Sequence, residues 1–304
     1  MQPNTLSHVM PLHQFQQPVK SLFRMIFLRN KQYPIYDMLR LEESIMRCDS
    51  NKENIYILTN EGTPEKSIIM GSSGNVEKLV FTENTTLDKV PIVKRFSGGG
   101  TVLVDDKTIF VSIVGSHQFL KYSSFDPNLT RKIIEREHDH EIQYKAYPEE
   151  IMSWTYGFYN PIFPPSLNFK LRENDYIFYG GKKFGGNAQY VTGGKSQRWV
   201  HHTSFLWDMN SEWMERYLKM PEKKPEYRHS RSHTDFLVTL KNSLCKENES
   251  IRDSSDFVNL IRQRVHDLSH NEWKEHVKEF VELNSYDDFQ HFIKENTLIR
   301  TTLV

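Results

Sequence analysis

Short apolar, β-branched runs closed by clusters of turn formers dominate the first two thirds of the chain. Phe23-Arg24-Met25-Ile26-Phe27-Leu28 reads as a first strand, and residues 55–58 and 67–71 as two more, split by Asn60-Glu61-Gly62-Thr63-Pro64. Between the first two strands, Met38, Leu41 and Ile45 fall on one face of a helix over residues 36–47. Val90-Pro91-Ile92-Val93 is strand-like, and so are residues 101–104 and 109–114, the last two joined by a turn at Asp105-Asp106-Lys107-Thr108. Residues 151–159 suit a helix. Residues 176–179 and the stretch from Lys182 read as a hairpin closed by Gly180-Gly181, and residues 199–208 as a further strand. Helices are predicted over 209–220, stopped by Pro221, and over 236–244, capped by Thr234 and Asp235 with Phe236, Leu240 and Leu244 as the apolar stripe. Between them, residues 221–232 form a basic loop with Lys223, Lys224, Arg228 and Arg231.

The pattern changes after residue 245. The chain becomes charged and glycine-free, with apolar residues at helical spacing: Phe257/Leu260/Ile261, Trp273/Val277/Phe280/Val281 and Phe289/Phe292/Ile293. A small helical C-terminal segment over 246–304 is the expectation, behind a principal domain over 23–245. Residues 1–22 carry no acid and form a disordered extension or a mitochondrial presequence, although no Arg occurs before Arg24. Residues 115–148 are polar and weakly periodic. They include His138-Asp139-His140, whose spacing would put both imidazoles on one side of a strand, within reach of a metal; the flanking charges describe a solvated loop.

Composition narrows the field. The 304 residues are 38% hydrophobic, enough for a substantial core, and Lys+Arg and Asp+Glu balance at 39 each. That sum gives no sign of a nucleic-acid partner. The two cysteines, Cys48 and Cys245, have neither disulfide-framework nor zinc spacing. No apolar run is long enough to span a bilayer.

The candidate chemistry centres on Arg95-Phe96-Ser97-Gly98-Gly99-Gly100-Thr101-Val102-Leu103. Three consecutive glycines weaken a fold unless backbone must approach something closely or take positive φ. The flanking strands argue against a P-loop or a dinucleotide fingerprint, both of which open a helix. A ligand-free glycine hairpin and a ligand-binding loop remain as readings. Lys183 precedes a second glycine pair, and strand alternation sends Lys182 and Lys183 to opposite faces. The same alternation separates His201 from His202, one buried and one facing a site.

Together three stretches resemble the lipoate–protein ligase family, within the biotin/lipoate ligase group. The family pattern of Arg, any residue, Ser or Thr, three glycines, a small residue and Val is matched by Arg95 to Val102. Its Asn-Asp pair followed by a lysine before a Ser-Gly-Ser/Asn-Ala run is matched by Asn174-Asp175 and Lys183-Phe184-Gly185-Gly186-Asn187-Ala188. Its His-His-Gly-Thr strand is matched by His201-His202-Thr203-Ser204. The resemblance spans roughly residues 23–244. The chain departs from the pattern at Val104-Asp105 where the family often has His-Asp, at Gly185 for Ser, and at Thr203 for Gly. Its tail is shorter than the bacterial ligases' accessory domain.

The resemblance implies an α+β fold with a mixed, mainly antiparallel sheet flanked by helices. It implies ATP-dependent activation of lipoate or octanoate to an acyl-adenylate, then transfer to a lysine of an acceptor lipoyl domain. Such acceptors belong to 2-oxoacid dehydrogenase E2 subunits or the glycine-cleavage carrier protein. Lys183 would span the α-phosphate and the acyl carbonyl. The adenylate would be bound by Arg95 through its planar fork, by Ser97, Gly98, Gly99, Gly100, Thr101, Val102 and Leu103, by Asn174 and Asp175, and by Gly186, Asn187, Ala188, His202 and Thr203. Asn174 or Asp175 would orient Lys183, or Asp175 would hold Mg²⁺. A monomer is expected, in mitochondria or else the cytoplasm. Competing readings are a lipoyltransferase using preformed lipoyl-AMP, a cysteine-dependent octanoyltransferase and a non-catalytic acyl- or nucleotide-binding protein.

Overall fold

The computed structural model describes residues 23–126, 146–192, 197–222 and 225–304. The N-terminal extension, the His138/His140 pair and the lysines at 223 and 224 lie outside these residues.

In chain order the strands are β1 (Phe23–Lys31), β2 (Asn54–Glu61), β3 (Ser67–Met70), β4 (Ile92–Lys94), β5 (Val102–Val104), β6 (Thr108–Ser116), β7 (Lys170–Arg172), β8 (Asp175–Phe178), β9 (Lys182–Lys183), β10 (Gly185–Val191), β11 (Arg198–Leu206), β12 (Val277–Leu283) and β13 (Thr302–Leu303). Six of them make the central sheet, ordered β10-β11-β6-β2-β1-β12. The β10–β11, β11–β6 and β6–β2 pairs are antiparallel, whereas β2–β1 and β1–β12 are parallel. Two smaller sheets, β13-β4-β3-β5 and β7-β8-β9, complete the α+β architecture.

Strand alternation gives the central sheet two apolar faces. Ile26, Leu28, Tyr56, Leu58, Val114 and Val200 pack against Met38, Leu41 and Ile45 of helix α1 (Ile35–Cys48). Met25, Phe27, Ile55, Ile57, Trp199 and Phe205 face helices α2 (Pro148–Tyr159) and α3 (Ser254–Asp267). Each fully buried large aliphatic or aromatic side chain contributes roughly 1.5–3 kcal/mol. Pro148 starts α2 where a missing N–H costs nothing, and the Glu150 carboxylate accepts the Tyr147 N–H at 3.0 Å.

Several expectations need correction. Residues 246–304 are not a helical appendage. The stripe Val277/Phe280/Val281 lies on β12, an edge strand paired with β1, and α3 belongs to the main core. The strands flanking the triple glycine do not form a hairpin; β4 and β5 lie on opposite sides of β3, so the loop crosses over it. β5 and β6 belong to different sheets. The β8–β9 loop holds three residues, Tyr179, Gly180 and Gly181, with both glycines at positive φ. The helix expected over 236–244 is two, His233–Phe236 capped by Ser232 and Leu240–Glu247 capped by Thr239. Between them the Val238 N–H donates to the Lys183 carbonyl, which ties this connection to the candidate site.

Candidate active site

The glycine loop leaves β4 with the Arg95 N–H bonded to Met70 O at 2.9 Å. The Arg95 guanidinium then folds back under the loop. Its Nη2 donates to Gly98 O and to Gly100 O, both at 2.9 Å, and its Nε donates to Gly98 O at 3.3 Å. Arg95 is only 3% exposed, and burial lowers its pKa to about 10, partly offset by the charge of Glu42. This corrects the role expected of it: the planar fork is occupied by loop carbonyls and shapes the loop instead of reaching for phosphate.

The three glycines answer to different demands. Gly99 has φ 108°, and a Cβ there would sit 2.7 Å from Arg95 Nη2 and 3.0 Å from Ala188 Cβ. A Cβ on Gly71 would meet Gly99 O at 2.2 Å. Both are glycines because the fold needs them. Gly98 and Gly100 are different: a Cβ would lie 4.0 Å from its nearest neighbour at Gly98 and meet nothing within 4 Å at Gly100. Their bare backbone faces open space. The Ser97 and Thr101 hydroxyls on either side are buried without a hydrogen-bond partner among the described residues. An unmet buried polar group costs about 1–3 kcal/mol.

β10 and β11 supply the neighbouring wall. Asn187 O and Ala188 Cβ lie against Gly99, and a Cβ on Gly186 would meet Val102 Cγ1 at 2.8 Å and Ser204 Oγ at 3.0 Å. His202 shares this face. Its Nδ1 is 3.0 Å from the Glu42 carboxylate, which also accepts the Ser112 hydroxyl, and its ring lies 4.7 Å from that of Phe110. His201 points the other way and is fully buried, with neither ring nitrogen partnered among the described residues; burial, then the neighbouring His202, pushes its pKa down to about 3. Three predicted site residues, Thr203, Asn187 and Leu103, turn their side chains away. The Thr203 hydroxyl donates to Asn187 Oδ1 at 2.9 Å, and Asn187 Nδ2 donates to Asn174 O at 3.1 Å, so the three form a latch between strands. Leu103 packs into a separate core with Ile68 and Met70, because alternation along β5 turns it from Val102 and Val104.

Lys183 lies at the end of β9, just upstream of Gly186. Its Nζ is 2.5 Å from Asp175 Oδ1, and its side chain is 21% exposed. The Tyr227 hydroxyl donates to Asp175 Oδ2 at 2.8 Å. Burial, then Asp175, raises the Tyr227 pKa, so the phenol stays a donor. With one oxygen on an ammonium and the other on a phenol, Asp175 is placed to orient Lys183. Among the described residues no group of three or more His, Cys, Asp or Glu could hold a metal. Sequence reasoning missed Glu42, Ser204 and Tyr227. Glu42 did leave a signal: an acid set within the Met38–Leu41–Ile45 stripe of α1.

Comparison with known proteins gives the family and the fold. The sequence model of the lipoyl protein ligase A/B catalytic domain matches residues 34–259. The inactive lipoate–protein ligase 2 of Plasmodium falciparum is 26% identical, over 92% of this chain and 77% of its own length. The fold is similar to that of an archaeal bipartite lipoate protein ligase, solved in a study of it and its E2 lipoyl domain from Thermoplasma acidophilum, with TM-score 0.58 and 16% identity over 90% of this chain and 91% of that one. It is also similar to lipoate–protein ligase A bound with ATP, with TM-score 0.55 and 14% identity over 90% and 93% of the two chains. The chain belongs to the lipoyl protein ligase A/B catalytic-domain family.

Proposed function

We propose that this protein is a lipoate–protein ligase, which activates lipoate or octanoate with ATP and transfers the acyl group to a lysine of a lipoyl-domain acceptor. The observation that carries this reading is the oriented Lys183–Asp175 pair, whose lysine lies three residues before the Gly186 that packs on the glycine-loop strand. In the first step a carboxylate oxygen attacks the α-phosphorus of ATP, and the bond to the pyrophosphate oxygen breaks. In the second, the acceptor amine attacks the acyl carbonyl, AMP leaves and the nitrogen loses a proton to solvent. Negative charge builds on oxygen in both steps. The Lys183 ammonium neutralises it, and the N–H groups beside the bare Gly98 and Gly100 approach the adenylate. The Glu42–His202 pair fixes the floor of the site.

Lipoyl domains as acceptors are supported by the E2 lipoyl domain named with the Thermoplasma neighbour, and ATP by the nucleotide bound to the ligase A neighbour. The word inactive in the name of the Plasmodium relative favours a second reading without full ligase activity; the form of it that keeps catalysis is a lipoyltransferase using preformed lipoyl-AMP. ATP–pyrophosphate exchange driven by lipoate separates the two. Lipoate-dependent exchange is the result expected of a full ligase; no exchange, with acyl transfer from synthetic lipoyl-AMP intact, would leave the transferase.

A further inference from the structure

The basic loop after residue 220 has no part in the steps above, yet the fold brings its described portion against the Lys183 pair. Residues Glu226–Arg228 make a single 3₁₀ turn. Tyr227 on this turn holds Asp175, while Ile177, between the two, packs with Tyr227 and Phe236. The strand register fixes what else shares that face. Lys170 pairs with Ile177, Ile177 with Lys183, and Arg172 with Asp175. Arg231 reaches across to donate from Nη1 to Gly181 O at 3.2 Å. Lys183 thus pairs with Asp175, Arg172 stands opposite it in the register, and Arg228 and Arg231 flank Tyr227, with the Glu173 carboxylate also acting on that tyrosine.

Arg228 stands out among them. It is 5% exposed and forms no ion pair among the described residues. Its Nε donates to Arg231 O at 3.3 Å, and its Cζ lies 4.8 Å from the centre of the Phe236 ring. Its Nη2 is buried with no acceptor among the described residues. Burial and the neighbouring Arg231 lower its pKa, with Asp175 only partly offsetting them. A buried guanidinium without a counter-ion is costly, and an anion that accepts its free N–H removes that cost. Lys183 and the glycine loop already account for the α-phosphate. When the bond at the α-phosphorus breaks, the bridging oxygen leaves with the electron pair and the pyrophosphate gains negative charge.

We propose that Arg228 binds the β- and γ-phosphates of ATP and holds the departing pyrophosphate, beside the Lys183–Asp175 pair and bolted to it through Tyr227. This rests on the ATP-dependent reading above. The test is calorimetric titration of wild-type protein and Arg228→Gln with ATP, inorganic pyrophosphate and AMP. Affinity for ATP and pyrophosphate is expected to fall tenfold or more, with AMP affinity within twofold of wild type. Arg228→Lys, which keeps the charge and loses the fork, should lose pyrophosphate affinity less steeply and serves as the readout if the glutamine variant fails to fold. Unchanged ATP and pyrophosphate affinity in a folded variant, or an equal loss for AMP, overturns the assignment. If wild-type protein binds none of the three, the ATP-dependent reading itself falls and takes this one with it; if wild type binds them and the variants are indifferent, only the role of Arg228 falls.

Discussion

Asp175 is the residue through which the candidate site is aimed. It sets Lys183 from one oxygen and takes the Tyr227 hydroxyl on the other. Asp175→Asn should therefore lower kcat for acceptor acylation tenfold or more with a smaller change in KM, as steady-state kinetics on a purified lipoyl domain would read. Tyr227→Phe removes one hydrogen bond, worth about 0.5–1.5 kcal/mol, and should cost less than Asp175→Asn. His201 makes a separate, pH-dependent prediction. Its pKa falls from 6.5 in the unfolded chain to about 3 in the fold. Above pH 6.5 it is neutral in both states and costs nothing. Below that, the unfolded chain takes up the proton and the fold does not, so stability drops by roughly 1 kcal/mol per pH unit until the folded pKa is reached. Thermal melts at pH 7 and pH 5 should show a larger drop for wild type than for His201→Phe; equal drops would contradict the assignment. At this scale Lys183 was singled out by the family resemblance, since a lysine before a glycine pair reads by itself as an ordinary surface lysine. Arg95 was misread because sequence cannot tell a fork aimed at phosphate from one turned onto its own loop carbonyls.

At the scale of elements, the glycine loop divides into glycines required by the fold and glycines that leave room. Gly99→Ala forces an L side chain to φ 108° and against Arg95 and Ala188, so it should lower stability by about 1–3 kcal/mol or more. Gly98→Ala and Gly100→Ala place a methyl in open space. Their melting temperatures should match wild type while ATP affinity falls. Unaltered nucleotide binding in both would mean the loop is only a turn. The strands around this loop were readable from apolar runs and turn residues. Their pairing was not, because adjacency in sequence suggested hairpins where the chain crosses β3. β12 escaped notice for another reason. It is an edge strand tied to its surroundings by Arg24–Glu279, Lys278–Glu53 and Arg262–Glu282 ion pairs, so charge interrupts its alternation and leaves a helical spacing behind.

On the scale of the whole molecule, the C-terminal segment is structural and not an accessory. β12 covers the open edge of β1, and β13 adds to β4 immediately before the glycine loop. The buried Glu43 carboxylate fastens this tail, accepting from the N–H groups of Arg300 and Thr301 and from the Thr301 hydroxyl. A chain of residues 23–245 should lose solubility or cooperative melting compared with residues 23–304, because it bares β1 and strips α3 from the core. Both the small-sheet tail and the oriented lysine serve one claim, that Lys183 stabilises an acyl-adenylate as it forms and is consumed. The direct measurement is intact-mass spectrometry of a lipoyl domain incubated with ATP, lipoate and either wild-type protein or a folded Lys183→Ala variant. Wild type should add one lipoyl group per acceptor, and the variant should be slower by about 10²–10³-fold. Equal modification by the two proteins, or none by wild type, would contradict it.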